Sequence, residues 1–479
     1  MNAALASELA AIVGDAYVHD APSEIIAYSY DGTFQQHRPD VAVSPACTEQ
    51  VAAVVRLAAA HGMPIIARGA SSGLAGGTIP ETGGIVLSLA RLNRIAEIDT
   101  ANVCVTAGAG VVTLQLQEAV EKLGLFYPPD PASSRQSTIG GNVATNAGGP
   151  RCLKYGVTKD YVIGLTLVLA SGEVLKLGGK FTKNATGYQL MQLFVGSEGT
   201  LGIVTEVTLR LIPLPRVRVT ATATFGDLNQ ASRSVSAIMG SGILPATLEL
   251  MDGTTINVVE DFLNAGLPRQ AQALLLLEQD GADDTLARQD VERMADICRG
   301  QGALETRVAA SAAERNLLWQ ARRAVSPALA RLRPNKLGED IVVPKSEIPA
   351  MIAAIGAIAR EHELPIPVFG HAGDGNLHPN ILFDLRNADE VGRVELAARD
   401  IFRAALHLGG TLSGEHGVGT LKREFLEEDQ GPLAVQISRA IKHALDPTNL
   451  LNPGKIFPTG RGIEGFLANL PMLAGFTPG

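Results

Sequence analysis

Two long glycine-rich segments in the first half of the chain restrict how this sequence can fold. Residues 68–78 follow the short apolar run at 64–67, and residues 128–149 combine glycines with small hydroxyl side chains beside Arg135. Clustered glycines let successive backbone N–H groups converge and let the backbone approach an anion closely. Either segment alone is also typical of a sharp turn in an α/β domain. Two such segments in one domain predict a ligand that carries a diphosphate.

The two common nucleotide-binding folds do not match this glycine pattern. Residues 108–113 contain the first two glycines of a dinucleotide fingerprint, but Thr113 stands where the third is required. The P-loop pattern fails because Val174 occupies the position of its first glycine ahead of Gly179 and Lys180. A third glycine-rich turn, at 194–206, leads into a β-branched strand whose backbone can hold a planar base. The diphosphate is therefore expected outside Rossmann and P-loop folds.

Charge and cysteine content exclude several classes of protein. Lys and Arg number 40 and Asp and Glu 49, a net charge of −9, so the chain lacks the basic surface that binds nucleic acids. Its 4 cysteines lie far apart without a CxxC pair, which favours reduced thiols over a disulfide framework or an iron–sulfur cluster. The first residues lack the basic start of a signal peptide, and the apolar stretches are shorter than the ~18 residues of a membrane span. We expect a soluble, cytoplasmic protein.

Changes in pattern along the 479 residues predict an α+β fold with two main domains. Short apolar strands alternate with helices, such as one at 48–61, until the prolines at 213 and 215 end a strand. A Thr-rich strand at 217–225 then begins a second sheet covered by helices. The predicted organisation is an N-terminal helical segment at 1–36, a first domain at 37–215, a second domain at 216–420, a helix and segment returning to the first domain at 421–457, and a tail at 458–479.

Three of the 9 histidines lie in two glycine-lined segments of the second domain. His371 and His378 belong to the first of these segments, and Glu415 and His416 belong to the second. Two imidazoles and one carboxylate match the ligands of a divalent transition metal that keeps open coordination positions. For each histidine taken alone, a hydrogen-bonded structural role remains the alternative.

The glycine-rich segments, together with residues 183–188 and 196–203, resemble the FAD-binding domain of the vanillyl-alcohol-oxidase type. Over roughly residues 37 to 457, the chain is similar to the family that includes the flavin subunits of bacterial glycolate oxidases and the FAD-dependent D-lactate and D-2-hydroxyglutarate dehydrogenases. The resemblance implies a PCMH-type FAD-binding domain at 37–215. It also implies a substrate domain of antiparallel sheet and helices, carrying a metal site, at 216–420.

The resemblance places the diphosphate of FAD on the first two glycine-rich segments and its adenine near Ile203. Some relatives tether the flavin to a histidine in the first segment. This chain has Ser71 and Ser72 there, so the FAD is expected to be non-covalent. The implied cofactor-binding residues are Arg68, Gly69, Ala70, Ser71, Ser72, Gly73, Pro131, Ser134, Ser137, Thr138, Gly140, Gly141, Asn142, Thr145, Asn146, Gly148, Gly149, Gly199, Gly202 and Ile203.

In the second domain the resemblance assigns roles to the histidine cluster. His371, His378 and Glu415 match the metal ligands of the D-2-hydroxy acid dehydrogenases, and His416 matches their catalytic base. Zn, Mn and Fe all accept such a ligand set, so the sequence leaves the identity of the metal open.

Four residues of the second domain are candidates for binding the substrate. They are Arg322, Lys336, Asn380 and His416. Arg322, which is also expected to act in catalysis, matches the family's substrate arginine, and the adjacent Arg323 leaves the register open. A departure occurs at Gly338, where the 2-hydroxyglutarate enzymes have a lysine. The loss of that cation favours a small monocarboxylate, glycolate or D-lactate, over a dicarboxylate.

These implications predict the FAD-dependent oxidation of a small 2-hydroxy acid to the 2-oxo acid. His416 accepts the hydroxyl proton in this mechanism, and the hydride passes from C2 to the flavin N5. The alternatives are a stand-alone dehydrogenase for D-2-hydroxyglutarate or another D-2-hydroxy acid, a flavoenzyme without net oxidation such as the ether-lipid synthases, and a binding module. The chain has no additional apolar segment for a lipid channel, and its histidine cluster disfavours a binding module.

Oxidation of the substrate requires a route by which electrons leave the flavin. The dispersed cysteines cannot hold an iron–sulfur cluster, so we expect the acceptor to be quinone, a soluble acceptor or partner subunits. A glycolate-oxidase-like complex would supply a second FAD-domain subunit and an iron–sulfur subunit. Such partners would place the chain peripherally at the inner membrane, and otherwise it is expected in the cytoplasm.

Overall fold

The computed structural model describes residues 3–33 and 35–460, which belong to two compact units. Unit 1 comprises Met1–Gly148, Val157–Leu214 and Glu415–Gly479, and unit 2 comprises Gly149–Gly156 and Pro215–Gly414. Both units combine helices with sheets, which confirms the predicted α+β class. The predicted tail at 458–479 lies outside the described residues from position 461 onward.

The bounds of the regular elements are as follows. The helices are α1 (Ala3–Val13), α2 (Pro22–Ile25), α3 (Thr48–His61), α4 (Thr113–Glu121), α5 (Ile139–Thr145), α6 (Cys152–Tyr155), α7 (Leu190–Phe194), α8 (Leu228–Gly240), α9 (Gly253–Leu263), α10 (Asp284–Gly300), α11 (Ala312–Arg323), α12 (Val325–Leu329), α13 (Ile348–Glu361), α14 (Ala388–His407), α15 (Leu426–Gln430) and α16 (Pro432–Leu445). The strands are β1 (Val18–His19), β2 (Val41–Val43), β3 (Ile65–Arg68), β4 (Ile85–Ser88), β5 (Ile95–Asp99), β6 (Cys104–Gly108), β7 (Leu125–Phe126), β8 (Val162–Val168), β9 (Val174–Gly178), β10 (Ile203–Arg210), β11 (Ile212–Pro213), β12 (Val217–Phe225), β13 (Thr247–Asp252), β14 (Ala273–Gly281), β15 (Glu305–Val308), β16 (Asn335–Gly338), β17 (Ile341–Val342), β18 (Val368–His371) and β19 (Asn376–Phe383).

Two larger sheets form the framework of unit 1. The first has the order β1-β2-β4-β3, in which β2 and β3 run parallel to β4. The second has the order β5-β6-β10-β8-β9 and is antiparallel. Strand β3 ends at Arg68, so the first glycine-rich segment leaves the edge of the parallel sheet.

Helix α3 shows how local sequence determines these elements. The predicted helix at 48–61 is α3 itself. Val51, Val54 and Val55 recur at helical spacing and are fully buried against the first sheet. Gly62, at φ 61°, then ends the helix, and its N–H bonds to carbonyls in the last helical turn. The helix is therefore fixed by one apolar face and one left-handed glycine.

The end of the chain returns to the parallel sheet of unit 1. Leu451 forms a parallel bridge with Ile65, the first residue of β3. The N–H of Ile65 donates to the Leu450 carbonyl at 2.8 Å, and the N–H of Asn452 donates to the Ile65 carbonyl at 2.7 Å. The C-terminal segment therefore covers the free edge of the strand that leads into the first glycine-rich segment.

Unit 2 is built on a large antiparallel sheet. Its order is β15-β12-β14-β13-β18-β19-β16, and β17 pairs with β19. Helix α10 packs on β12 and β14, and α9 packs on β13 and β14. The predicted Thr-rich strand at 217–225 is β12. Among residues 3–33 and 35–460, no helix is both long and apolar enough to cross a membrane.

The return to unit 1 begins earlier than the sequence predicts. The second domain is predicted to end at residue 420, whereas unit 2 ends at Gly414. The N–H of Thr420 donates to the Ala75 carbonyl at 2.9 Å, which ties this part of the chain to the first glycine-rich segment. Glycines occur on both sides of Gly414, so composition does not mark the boundary.

Residues 149–156 belong to unit 2, although the chain on both sides of them lies in unit 1. Lys154 Nζ donates to Asp280 Oδ1 at 2.6 Å, and the Tyr155 hydroxyl donates to the same carboxylate at 2.8 and 2.9 Å. Asp280 is buried on β14, so these bonds anchor the segment to the sheet of unit 2. The predicted first domain did not anticipate this crossing, because it depends on contacts between distant residues.

A buried ion pair lies at the end of helix α16. Lys442 Nζ donates to the Asp446 carboxylate, to the Thr200 carbonyl at 2.7 Å and to the Leu451 carbonyl at 2.9 Å. The N–H groups of Leu450 and Leu451 donate to the Asp446 carboxylate at 2.8 Å. Burial lowers the pKa of Lys442, and Asp446 opposes that effect. The pair therefore connects α16 to the segment that covers β3.

We expect Asp446→Ala to lower the free energy of unfolding by about 3–5 kcal/mol, because it leaves a buried lysine without its counter-charge. Denaturant unfolding followed by circular dichroism measures the loss. Glu118→Ala, at an exposed position of α4 in the same unit, is the control and should change stability by less than about 0.5 kcal/mol. Similar small effects for both variants would contradict a stabilising role for the pair.

Candidate functional site

Unit 1 contains a cleft with a cavity volume of about 220 Å³. Most of its walls come from residues within 67–78, 131–148 and 194–204, together with Glu415 and His416. These stretches include the three glycine-rich segments recognised in the sequence. The cleft is therefore assembled from parts of unit 1 that lie far apart along the chain.

Two glycines allow the walls of the cleft to approach each other. A β-carbon at Gly69 would lie 2.5 Å from Thr138 Oγ1 of the second glycine-rich segment. A β-carbon at Gly140 would lie 2.5 Å from the Ala109 β-carbon. Side chains other than hydrogen are thus excluded at both positions. The resulting wall presents backbone groups and small hydroxyls, which suits an extended ligand with a diphosphate.

Arg68 lines the cleft, but its guanidinium is bonded to the protein backbone. Nη1 donates to the Tyr30 carbonyl at 2.8 Å, and Nη2 donates to the Ala27 carbonyl at 3.1 Å. Burial lowers the pKa of Arg68, and Asp31 opposes the shift. Arg68 therefore holds the N-terminal segment against the base of the first glycine-rich segment.

Most of the predicted cofactor-binding residues line this cleft. They are Arg68, Gly69, Ala70, Ser71, Ser72, Gly73, Pro131, Ser137, Thr138, Gly140, Gly141, Asn142, Thr145, Gly148, Gly199, Gly202 and Ile203. Lining residues that the sequence did not single out include Asp31, Thr78, Ser133, Ser197 and Glu198. Because these residues have ordinary turn-forming side chains, only their position in the fold identifies them.

Three predicted cofactor-binding residues, Ser134, Asn146 and Gly149, lie elsewhere. The Ser134 carbonyl accepts the N–H of Leu114 of α4 at 2.9 Å. Asn146 ends helix α5 in the left-handed conformation, and its Oδ1 accepts the N–H of Lys159 at 2.8 Å. Gly149 belongs to unit 2. The first two residues therefore shape the second segment without lining the cleft.

Glu415 and His416 belong to unit 1 and line the same cleft as the glycine-rich segments. The residues after them are bonded to the cleft wall: the N–H groups of Val418 and Gly419 donate to the Glu198 carboxylate at 2.8 and 2.9 Å. Burial raises the pKa of Glu198, and these two N–H groups oppose that effect. The predicted base is thus carried by a loop attached to the third glycine-rich segment.

In unit 2, a β-hairpin carries the two histidines of the predicted metal site. Strands β18 and β19 pair antiparallel, with His371 opposite Asn376. Gly375, at φ 87°, allows the tight turn, and Asp374 Oδ1 accepts the N–H of Asn376 at 3.2 Å. The ring centroids of His371 and His378 lie 5.1 Å apart with the rings at 88°, and both side chains are buried. Local strand pairing therefore brings the two imidazoles together.

A buried glutamate on the neighbouring strand β13 orients His371. Glu249 Oε1 lies 2.7 Å from His371 Nδ1, and Glu249 Oε2 lies 2.6 Å from Nη2 of Arg322. The exposed fractions of Glu249 and Arg322 are 1% and 6%. Burial opposes ionisation of Glu249, but Arg322 and then His371 outweigh it and lower the pKa of the carboxyl. The charge of Arg322 and the contact with His371 thus keep this carboxylate ionised in the interior.

This arrangement differs from the role that the sequence predicts for Arg322. The prediction assigns its guanidinium to the substrate carboxylate, whereas the structure pairs it with Glu249 and stacks it 4.8 Å from the Phe369 ring centroid. Helix α11 buries Arg322 and exposes Arg323. A buried arginine requires a carboxylate partner, and the sequence does not show which one it meets.

Asp340 is a second buried carboxylate beside the histidines. Its Oδ1 lies 3.7 Å from His378 Nδ1 and accepts a hydrogen bond from Asn376 Nδ2 at 2.7 Å. Its Oδ2 accepts from the Ser413 hydroxyl at 2.9 Å, and its carbonyl accepts the N–H of Gly414 at 3.3 Å. Asp340 therefore connects the hairpin with the last residues of unit 2.

The other two predicted substrate-binding residues of unit 2 have contacts within the unit. Asn380 Nδ2 donates to the His378 carbonyl at 2.8 Å, and Asn380 is paired with Gly338 of β16. Lys336 Nζ donates to the Ser326 hydroxyl of α12 at 2.6 Å. Burial lowers the pKa of Lys336 to about 8. The structure thus directs the Lys336 side chain to a helix and uses the Asn380 amide to support the strand of His378.

Comparisons with known proteins agree with this geometry. Residues 39–178 match the family described as FAD binding domain, and residues 214–456 match the family described as FAD linked oxidases, C-terminal domain. The chain belongs to the FAD-linked oxidases. This membership confirms FAD, the cofactor that the family resemblance implies.

Several proteins are similar to this FAD-linked oxidase over almost their whole length. The glycolate oxidase subunit GlcD of Bacillus subtilis is 46% identical over 451 residues, which cover 94% of this chain and 96% of the relative. The D-lactate dehydrogenase of Anaerostipes hadrus is 36% identical, with coverages of 92% and 94%. The D-2-hydroxyglutarate dehydrogenase of Stutzerimonas stutzeri is 35% identical, with coverages of 95% and 99%. The predicted family and the FAD-dependent oxidation of a 2-hydroxy acid are thereby confirmed.

Solved structures share the fold at low sequence identity. p-Cresol methylhydroxylase with bound substrate has a TM-score of 0.80 at 18% identity, with coverages of 95% of this chain and 96% of that chain. The 4-ethylphenol oxidase of Gulosibacter chungangensis has a TM-score of 0.78 at 20% identity, with coverages of 96% and 98%. These likenesses confirm the predicted PCMH-type fold class.

We expect Gly69→Ala to weaken FAD binding by roughly ten- to a hundredfold, because the added methyl group forces apart the two walls of the cleft. Titration of apoprotein with FAD, followed by flavin fluorescence, measures the affinity. Gly240→Ala is the control, since a β-carbon there meets no atom within 4 Å. Unchanged affinity in Gly69→Ala would show that FAD does not depend on this close approach.

Proposed function

We propose that the chain oxidises glycolate or D-lactate to the corresponding 2-oxo acid, with FAD as the hydride acceptor. The observation that carries this proposal is the position of His416 on the wall of the glycine-lined cleft, where a base faces the space that suits the flavin. Relatives named glycolate oxidase subunit and D-lactate dehydrogenase support the choice of substrates. The relative named D-2-hydroxyglutarate dehydrogenase supports a dicarboxylate as the alternative.

We also propose that His371, His378 and Glu415 hold one divalent ion of Zn, Mn or Fe. The chemistry of the donors fits, because buried imidazoles and a carboxylate suit these ions. Glu249 Oε1 lies 2.7 Å from Nδ1 of His371, so Nε2 is the nitrogen that would bind the ion, the usual arrangement for a carboxylate behind a metal-binding histidine. Glu415 follows directly on Gly414, the last residue of unit 2, and this continuity supports its place in the set.

The residues of the chain have separate tasks in the proposed reaction. FAD supplies a hydride acceptor, and a bound metal ion lowers the pKa of the substrate hydroxyl. His416 accepts the hydroxyl proton while the hydride leaves C2, so that the substrate loses one proton and one hydride and becomes the 2-oxo acid. Glu249 holds the His371 imidazole in orientation, Asp340 lies beside the His378 imidazole, and Arg322 balances the charge of Glu249.

The contacts in unit 2 support a small monocarboxylate as the substrate. Gly338 stands where the 2-hydroxyglutarate enzymes that the chain resembles have a lysine. Lys336, two positions earlier, donates to Ser326 and so does not replace that lysine in its described position. Arg322 is paired with Glu249, so we assign it a positioning role on His371 in place of direct binding to the substrate. The second carboxylate of a dicarboxylate substrate would therefore lack the lysine that the 2-hydroxyglutarate enzymes have at the position of Gly338.

We propose that the electrons leave the flavin for partner subunits, one of which contains an iron–sulfur cluster. The Bacillus subtilis relative is named as a subunit, which supports an assembly of this kind. An iron–sulfur cluster needs several thiolates in one place, whereas Cys104 and Cys298 are buried in different units of this chain. Such partners would also provide contact with the inner membrane.

We expect Glu249→Gln to weaken metal binding by about ten- to a hundredfold, because an amide holds the His371 tautomer less firmly and leaves Arg322 without a counter-charge. Competition between the protein and a chromophoric chelator for Zn²⁺ or Mn²⁺ measures the affinity without reference to turnover. Glu278→Gln is the matched control: Glu278 is also buried in this sheet, but it accepts from Thr220 and Trp319. Equal affinities in the parent and in Glu249→Gln would contradict the proposed metal site.

The substrate is tested by mixing oxidised holoprotein anaerobically with glycolate, D-lactate, L-lactate, D-malate or D-2-hydroxyglutarate. We expect glycolate or D-lactate to bleach the flavin absorbance and chelation of the metal to slow the bleaching. His416→Ala should slow flavin reduction by about 10²–10⁴-fold, the usual contribution of a general base.

His443→Ala, at an exposed position of α16 in the same unit, is the control for the His416 variant and should reduce the flavin at the parental rate. Bleaching by D-2-hydroxyglutarate alone would replace the proposed substrate with the dicarboxylate. If no hydroxy acid bleached the flavin in the parent, or if His416→Ala retained the full rate, the proposed mechanism would be wrong.

A further inference from the structure

The loop that carries His416 has a backbone that cannot adopt its path without glycine. Gly417 has φ 86° and Gly419 has φ 52°, both in the left-handed region. A β-carbon at Gly417 would lie 2.9 Å from Glu198 Oε1, and one at Gly419 would overlap the Ala75 carbonyl oxygen. The loop therefore lies directly against two walls of the cleft, and Glu198 forms one of these contacts.

Glu198 holds this loop through two hydrogen bonds to its backbone. Oε1 accepts the N–H of Val418 at 2.8 Å, and Oε2 accepts the N–H of Gly419 at 2.9 Å. A carboxylate that accepts two adjacent N–H groups fixes both the position and the direction of the peptide between them. Because Val418 is only two residues beyond His416, this clamp restricts where the His416 backbone can lie.

The backbone of Glu198 is itself firmly held. Its N–H donates to the Ala144 carbonyl at 2.8 Å, and its carbonyl accepts from Asn452 Nδ2 at 2.7 Å. Glu198 has φ 52°, a conformation that costs a non-glycine residue energy and persists only where the surroundings enforce it. A strained, doubly anchored residue whose carboxylate reaches a functional loop is typical of a positioning role.

Other backbone bonds hold the part of the loop beyond Val418. The N–H groups of Thr420 and Leu421 donate to the Ala75 carbonyl at 2.9 and 3.2 Å. The Gly419 carbonyl accepts the N–H of Ile456 at 2.9 Å. These bonds lie three to five residues beyond His416, so they hold the far end of the loop.

We infer that Glu198 is a positioning residue that holds His416 at the proton-accepting distance from the substrate. This inference rests on the proposed role of His416 as the base. Glu198 is not a catalytic residue in this scheme, since it acts through the backbone of residues 418–419. Misplacement of a catalytic group by about 1 Å lowers the rate on the order of 10²-fold. A residue that fixes the position of His416 therefore has a large effect on the rate.

The test uses Glu198→Gln in the full-length holoprotein. The amide keeps one oxygen acceptor but presents its NH₂ group to the second loop N–H, so one of the two bonds is lost and the shape of the side chain is retained. We expect the limiting rate of anaerobic flavin reduction to fall by about 10–100-fold. The dissociation constants for FAD and for the substrate should stay within twofold of the parent. Glu118→Gln, on the exposed side of α4, should change none of these values.

A double variant separates an effect through His416 from a general effect on the cleft. If Glu198 acts only through His416, then Glu198→Gln adds no further loss in a His416→Ala background. Losses that multiply in the double variant would overturn the inference, as would weaker FAD binding in Glu198→Gln, which would make Glu198 a cofactor-binding residue.

The inference and the proposed function fail in different ways. A full reduction rate in Glu198→Gln, together with a slow His416→Ala, overturns the inference and leaves His416 as the base. A full rate in His416→Ala overturns the proposed base and the inference with it. Slow reduction in both single variants, and no further loss in the double variant, supports both.

Discussion

The side chain of Asn452 connects the separate parts of the chain from which the cleft of unit 1 is made. Its Nδ2 donates to the carbonyls of Gly77 and Glu198 at 2.8 and 2.7 Å, and its N–H donates to the Ile65 carbonyl at 2.7 Å. These carbonyls belong to the first glycine-rich segment, to the third and to the strand that leads into the first. Asn452 is 2% exposed, and an unsatisfied buried polar group costs about 1–3 kcal/mol. The spacing of the cleft walls therefore depends on one amide near the end of the chain.

Unit 2 places a charged group in the interior of its sheet. Glu249 lies between Leu248 and Leu250 on strand β13, and Arg322 and His371 contact its two oxygens. Replacing such a group with an apolar side chain often stabilises a protein, so its presence favours a role in the site over a role in stability. The same carboxylate fixes the orientation of an imidazole, which a hydrophobic residue cannot do. An apolar residue at position 249 would favour stability, whereas a carboxylate there orients the imidazole of His371.

Local patterns in the sequence predicted those features that depend on neighbouring residues. The helix at 48–61, the strand at 217–225 and the glycine-rich walls of the cleft follow from apolar periodicity and from clustered glycines. His371 and His378 meet because a single hairpin joins them. The partner of Arg322 could not be predicted, because Glu249 lies far away in the sequence and ion pairing carries no periodic signal. The crossing at Gly414 was missed for the same reason, since it is defined by bonds to distant residues.

The interleaved order of the two units also governs how the protein is made. All of unit 2 has been synthesised once Gly414 is added, whereas unit 1 still lacks helix α16 and the segment that covers β3. Chains emerge from the ribosome from the N-terminus, and domains generally fold as units once their sequence is available. Strand β3 of unit 1 therefore gains its partner segment only after the whole sequence of unit 2 has been made. The bonds of Asn452 to the first and third glycine-rich segments can therefore form only after translation has passed residue 452, later than the last residue of unit 2.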